Sequence, residues 1–197
     1  MGKGSAIVKR IFDVIAAVVA LIVFSPVFLI ICIAIKSEDR GPAIFKQKRL
    51  GYKGRIFKLY KFRSMIVSAE EDGKPKLYKK GDSRLTRVGR FLRDHHLDEL
   101  PQLWNVLRGD MSFVGYRPER QYFIDKIMVE NPDYARLYEM RPGVFSNATL
   151  YNGYTDTMEK MLKRLDMDLE YLENHNLWVD IVIIFKTGMS ILTGKKF

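Results

Sequence analysis

Asp98, Glu99, Leu100 and Pro101 form the stretch of this chain richest in potential chemistry. Two adjacent carboxylates can divide labour, because neighbouring residues on a helix point about 100° apart. One can attack a phosphoryl group, a role aspartate fills in covalent catalysis. The other can hold Mg²⁺ and so neutralise diphosphate oxygens. The surroundings suit an anionic substrate: Arg84, Arg87, Arg90 and Arg93 recur every third residue, on or near one helical face. Each feature also has a plain structural reading. Acidic residues cap helices, and a row of arginines is equally a solvated face or one resting on anionic lipid. Pro101 suits a first helical turn, and the apolar run after it stops near Gly109. The pair is therefore expected at a helix N-terminus, where the dipole and free N–H groups favour anions.

The elements that must position this pair are legible in outline. Of 197 residues, 47% are hydrophobic and 28% charged, which fits one domain and excludes bulk disorder. The net charge is +10, and the excess lies wholly in residues 1–97, with 21 basic and 8 acidic side chains. That half should face phosphates, nucleic acid or an acidic membrane surface. No helix-turn-helix, zinc or RNP pattern follows, and lipid headgroups satisfy the charge at about 1 kcal/mol per Lys or Arg, so nucleic acid is set aside. The single cysteine, Cys32, excludes an internal disulfide framework and implies a reducing compartment. His95, His96 and His175 lack zinc-ligand spacing.

Residues 11–35 carry one charge, Asp13, and are long enough to cross a bilayer as a helix. Ser25-Pro26 interrupts them, because proline lacks an N–H and clashes with the carbonyl four residues back. A proline-kinked span and a re-entrant helix–break–helix both satisfy this pattern. Basic residues flank the run on both sides, which a hairpin places on one face. Asp13 is expected near the interface, paired with Lys9 or Arg10. Residues 36–63 hold ten basic and two acidic side chains and read as two strands joined by a turn at residues 51–54. Residues 66–83 read as a helix end and a surface loop. A helix is expected before Pro142. Another is expected over residues 157–174, with Met158, Met161, Leu162, Leu165, Leu169 and Leu172 on its core face. Residues 177–192 are apolar but short for a span, which suits core burial or shallow insertion with Trp178 at headgroup level.

Taken in order, these residues resemble the monotopic phosphoglycosyl transferases, bacterial sugar transferases that begin glycan assembly on a polyprenol carrier. The likeness covers nearly the whole chain. It runs from Lys9-Arg10-Ile11-Phe12-Asp13 and Ser25-Pro26 through Tyr60-Lys61-Phe62-Arg63-Ser64-Met65 and Arg87-Val88-Gly89-Arg90 to Leu97-Asp98-Glu99-Leu100-Pro101. It continues with Gly109-Asp110-Met111-Ser112, Arg117-Pro118-Glu119, Arg141-Pro142-Gly143 and the segment holding Asp168, Tyr171, Glu173 and Asn174.

The resemblance implies an α/β domain, mostly helical with a small sheet, on the cytoplasmic face of a bacterial inner membrane. Residues 1–36 would form a re-entrant membrane helix broken at Ser25 and Pro26, and residues 37–197 a cytosolic catalytic domain with interfacial helices. Asp98 would attack the β-phosphate of a UDP-sugar, UMP would leave, and polyprenol (undecaprenyl) phosphate would take the phosphosugar. Glu99 would hold Mg²⁺. Substrate contacts are implied at Lys61, Arg63, Arg90, Arg117, Pro118 and Arg141, with the inner-membrane lipid as a further partner and a homodimer allowed. For Arg117 and Arg141 the plain alternative is an ion pair with Glu119 or Glu139. Tyr116 stands where the family usually has proline, and residues 144–149 depart from the usual pattern. Two other classes compete: a non-catalytic, membrane-anchored anion-binding module, and a metal-dependent glycosyltransferase that releases UDP.

Overall fold

The computed structural model describes residues 3–69, 81–153 and 155–193. The chain begins with helix α1 (Lys3–Val23) and helix α2 (Ser25–Glu38), which meet at Phe24 with a bend of 59°. No single helix among the described residues is long and apolar enough to cross a membrane, but this bent pair passes that test together. The local chemistry of the bend is visible. Pro26 has no N–H to donate to the carbonyl of Ile22, and the Ser25 hydroxyl takes that carbonyl instead at 2.8 Å. The serine thus satisfies the acceptor that the proline orphans.

The near ends of both helices rest on the same body. Ala17 of α1 packs with Phe57, Leu59, Val106 and Met111. Ile31 and Ile35 of α2 pack with Phe62 and Leu92. The apex carries an apolar surface, with Val19, Ile22, Val23, Leu29 and Ile30 all more than half exposed. Asp13 is buried and accepts the backbone N–H of Phe113 at 3.1 Å. Its expected partners are engaged elsewhere: Lys9 pairs with Asp180 at 2.5 Å, and Arg10 donates to the carbonyls of Val106 and Leu107.

Strands β1 (Ile44–Leu50) and β2 (Ile56–Phe62) form the expected antiparallel hairpin, turning through residues 52–54. Helix α3 (Arg87–Asp94) follows, capped by the Thr86 side chain and, on its first N–H groups, by the Glu38 carboxylate at the end of α2. Gly89 lies so close to the backbone of Ser64 that a Cβ would fall 1.9 Å from its carbonyl oxygen, which fixes the approach of α3 to the hairpin. Arg84 precedes this helix and forks onto Asp82, so the expected four-arginine helical row holds from Arg87 onward only. Residues 70–80, within the expected surface loop, lie outside the described residues.

A 3₁₀ turn (Leu97–Glu99) leads into helix α4 (Gln102–Arg108), which stops at Gly109 in the left-handed region (φ 90°) as its sequence requires. Strand β3 (Ser112–Val114) pairs in parallel with β4 (Gly143–Phe145), so there are two small sheets where one was expected. Between these strands lie helix α5 (Gln121–Glu130) and a 3₁₀ helix (Pro132–Glu139), the latter being the helix expected before Pro142 in its tighter form.

Helices α6 (Asn147–Asn152), α7 (Met158–Asn174) and α8 (Leu177–Leu192) complete the chain. Met161 and Leu165 of α7 enter the core with Tyr116, Phe123, Ile124 and Leu137, and Met158, Leu162 and Leu169 pack against it. α8 buries Asp180, Ile183, Thr187 and Ser190 on one face. It leaves Trp178, Ile181, Phe185 and Met189 exposed in a stripe three to four residues apart.

Candidate active site

The carboxylate pair does not cap α4. Asp98 and Glu99 sit on the 3₁₀ turn one turn earlier, and α4 has no side-chain cap. The turn begins at His96, whose backbone is left-handed (φ 55°), a conformation histidine tolerates better than bulkier residues. Asn105 ties α4 to the hairpin. Fully buried, it donates to the Lys58 carbonyl at 2.7 Å and accepts the Tyr60 N–H at 3.1 Å. This fixes the dyad turn beside Lys61. Asn105 carries no motif of its own in the sequence, although an amide set within the short apolar run of residues 103–107 was a usable signal.

Glu99 is the hub of the charge network. A single carboxylate oxygen, Oε1, accepts from Lys61 Nζ at 2.6 Å and from Arg117 Nη2 at 2.8 Å. Burial works against ionising Glu99, but Arg117 and Lys61 outweigh it and hold the carboxyl well below the ordinary range. Asp98 behaves oppositely. It is 5% exposed, and its carboxylate makes no hydrogen bond or ion pair among the described residues. Burial pushes its carboxyl up, Lys61 offsets part of that rise, and the neighbouring Glu99 charge adds to it. Two adjacent carboxylates are thus driven apart: one fixed as an anion within a cationic clamp, the other more basic and without a hydrogen-bond partner among the described residues. Such a split is how acid–base and nucleophilic roles are assigned within one site. Burial also lowers the Lys61 ammonium and the His96 imidazole.

Both carboxylates line a cavity of about 530 Å³. Arg93, His96 and Arg117 contribute polar lining, while Ala20, Phe24, Leu103, Phe113, Phe145 and Ile191 contribute apolar lining from the helix break, α4, the β3–β4 sheet and α8. The cavity therefore offers cations for phosphate and an apolar wall that reaches the bend between α1 and α2.

The other expected site residues divide. Lys61 and Arg117 join the dyad directly. Arg93 lines the cavity, whereas Arg90 lies exposed on α3. Arg63 is buried and holds the chain after α2, donating to the Asp39 carboxylate at 3.0 Å and the Asp39 carbonyl at 2.8 Å. Pro118 is buried, and its carbonyl accepts from Arg49 at 3.0 Å. Arg141 is separated from the dyad by the β3–β4 sheet. On β3, Phe113 faces the dyad cavity, while Ser112 and Val114 face a second cavity of about 380 Å³ lined also by Arg10, Tyr52 and Arg141. There Arg141 donates to the Gly109 carbonyl at 2.9 Å and stacks over the Tyr52 ring at 5.1 Å. Neither arginine forms the ion pair weighed as its plain alternative: Arg117 binds Glu99, and Arg141 binds main chain.

Among the described residues, no group of three or more His, Cys, Asp or Glu side chains could hold a metal ion. Mg²⁺ is commonly held by one or two carboxylates with substrate phosphates completing the shell. Glu99 Oε2 fits that mode, with Glu99 Oε1 already committed to the cations.

Residues 4–194 match the sequence profile of the bacterial sugar transferases. The chain belongs to the bacterial sugar transferase family. Family relatives extend the likeness along the chain. A UDP-N-acetylgalactosamine-undecaprenyl-phosphate N-acetylgalactosaminephosphotransferase of Aeromonas hydrophila is 42% identical over 189 residues, covering 96% of this chain and 44% of that protein. A UDP-glucose:undecaprenyl-phosphate glucose-1-phosphate transferase of Caulobacter vibrioides is 43% identical over 188 residues, covering 94% and 70%. The exopolysaccharide production protein PSS of Rhizobium leguminosarum is 39% identical over 197 residues, covering 97% and 98%. The chain thus spans less than half of the Aeromonas family member and nearly all of the Rhizobium one.

Proposed function

We propose that this chain transfers a sugar-1-phosphate from a UDP-sugar to polyprenol phosphate, releasing UMP, as the first membrane step of glycoconjugate assembly. The observation that carries this reading is the asymmetry of the dyad: a more basic Asp98, unpaired among the described residues, beside a clamped, anionic Glu99 in a cation-lined cavity with an apolar wall. An Asp98 carboxylate oxygen attacks the β-phosphorus, and the bond from that phosphorus to the oxygen bridging the α-phosphate breaks. UMP carries that oxygen away, leaving a phosphosugar on Asp98. An oxygen of polyprenol phosphate then attacks the same phosphorus, and Asp98 is released as a carboxylate. Lys61 and Arg117 hold Glu99 in place, and Arg93 and Arg117 offset repulsion between carboxylate and diphosphate. Glu99 would hold Mg²⁺, which would further neutralise the diphosphate oxygens.

The relatives' names support the substrate classes but differ in sugar, N-acetylgalactosamine in one and glucose in another. The decisive assay incubates the full chain in vesicles with a panel of UDP-sugars and polyprenol phosphate, and identifies the nucleotide product. UMP is the expected product. UDP would point to direct glycosyl transfer, and no nucleotide release with any sugar would favour an anion-binding module.

The same reading places α1 and α2 as a re-entrant pair in the cytoplasmic face of a bacterial inner membrane, with the apolar stripe of α8 at the headgroup level. The bend at Ser25-Pro26, the exposed apex and the packing of both near ends on one body support it. In a Cys32→Ser background, cysteines placed at Lys3 and Lys36 should both label from the same side of sealed vesicles. Labelling from opposite sides would establish a kinked span.

A further inference from the structure

Helix α8 contains a residue that its own local chemistry does not explain. Gly188 lies inside the helix, where only proline is less favourable than glycine. Its backbone is not in the left-handed region that calls for glycine. Crowding does not call for it either: a Cβ here would meet no heavy atom within 4 Å outside its own stretch of helix. The open space beside it is the dyad cavity, which Gly188 lines. At about 100° per residue, Gly188 falls on the flank of α8, between the buried face of Asp180, Ile183 and Thr187 and the exposed stripe of Trp178, Ile181 and Phe185.

Across this part of the cavity stand Ala20 of α1 and Phe24 at the bend. Helices α1 and α8 are tied together by Lys9 and Asp180. Ala20 lies about 16 Å beyond that tie along α1, and Gly188 about 12 Å beyond it along α8, at 1.5 Å per residue. The two helices thus run in the same sense from the tie and border one slot. Phe113 and Ile191 add apolar wall, and the Thr187 hydroxyl already donates to the Ile183 carbonyl at 2.8 Å. Sugar hydroxyls need polar partners, and the cavity offers those away from the slot, at Ser146, Thr149 and Thr155.

We propose that the slot between α1 and α8 holds the first isoprene units of the polyprenol phosphate acceptor, and that Gly188 sets its width. The proposal rests on the function proposed above and assigns the acceptor its place within that same cavity. The acceptor's phosphate stands at the dyad, near Arg93 and Arg117, and its chain leaves past Gly188 and Phe24 toward the exposed apolar surfaces of the bend and of α8.

The test uses the full chain in phosphatidylcholine vesicles and two readouts, of which only the second needs turnover. In a Cys32→Ser background, Gly188→Cys places a thiol at the slot, and its rate of alkylation by N-ethylmaleimide reports occupancy. Undecaprenyl phosphate should slow alkylation several-fold, and UDP-sugar should not. No slowing, or equal slowing by phosphatidylglycerol or UDP-sugar, would overturn the proposal. The second readout is steady-state kinetics. Gly188→Leu should lower kcat/KM for undecaprenyl phosphate about tenfold or more and keep that for UDP-sugar within about twofold, because methylenes added to an apolar pocket discriminate by about that much. Gly188→Ala should fall between wild type and Gly188→Leu, and it carries this arm if Gly188→Leu fails to fold. Equal losses for both substrates, or no loss for either, would contradict the assignment. Wild-type protein that releases no UMP would remove the function reading and leave the alkylation experiment to decide whether the slot takes a prenyl chain.

Discussion

Arginines gather on both faces of the β3–β4 sheet, and they do different things there. On the dyad side, Arg117 shares Glu99 Oε1 with Lys61 and borders a cavity. On the other side, Arg10 donates to the carbonyls of Val106 and Leu107, and Arg141 to that of Gly109. Those carbonyls end α4, where unpaired acceptors and the negative end of the helix dipole favour cations. The same side chain is thus an anion clamp where it meets a carboxylate beside open space, and a helix cap where it meets main chain. α4 lies between the two groups, with the dyad turn just before its start and the arginine pair at its end. Helix α1 therefore holds α4 through Arg10, at the end remote from the dyad turn.

Substitutions can separate these roles. The largest effect is expected for Arg117→Ala, which frees Glu99 of one partner and removes a cation from the cavity. Loss of one such donor costs on the order of a hundredfold or more in turnover, and UMP release measured on folded protein checks it. Arg141→Ala should act mainly on stability. Loss of one hydrogen bond and one cation–π contact amounts to about 1–2 kcal/mol, readable in thermal unfolding, with UMP release by the remaining folded protein within about threefold of wild type. A large kinetic loss with unchanged stability would place substrate on Arg141 and erase the contrast between the two faces. Arg90→Ala, at an exposed position on α3, should change stability by no more than about 0.5 kcal/mol and leave UMP release unaltered.

The sequence was most informative where the physics is local. The hairpin followed from alternating strands around residues 51–54, the end of α4 from Gly109, and the interruption of the long apolar segment from Ser25-Pro26. The role of the serine, satisfying the Ile22 carbonyl, needed coordinates. Local reasoning also overreached: periodicity extended the arginine row back to Arg84, which a turn binds to Asp82. Non-local facts were not legible. The exclusion of Arg141 from the dyad depends on β3 pairing with a strand about thirty residues later in the chain, and the Lys61–Glu99 contact joins a hairpin to a turn 38 residues away. The arginines at 117 and 141 look alike as sequence motifs, each followed by proline. Only tertiary pairing decides which one faces the carboxylates.

The central claim is that Asp98 is the covalent nucleophile, and mixing enzyme with UDP-sugar in the absence of polyprenol phosphate tests it most directly. A two-step displacement predicts UMP in amounts near one per enzyme, and acid-quenched mass spectrometry should find a phosphosugar on the peptide containing Asp98. Asp98→Asn, which keeps the side-chain shape, should give neither while folding normally. UMP that forms only once the acceptor is added, with no adduct trapped, would contradict the account and require direct transfer in a ternary complex.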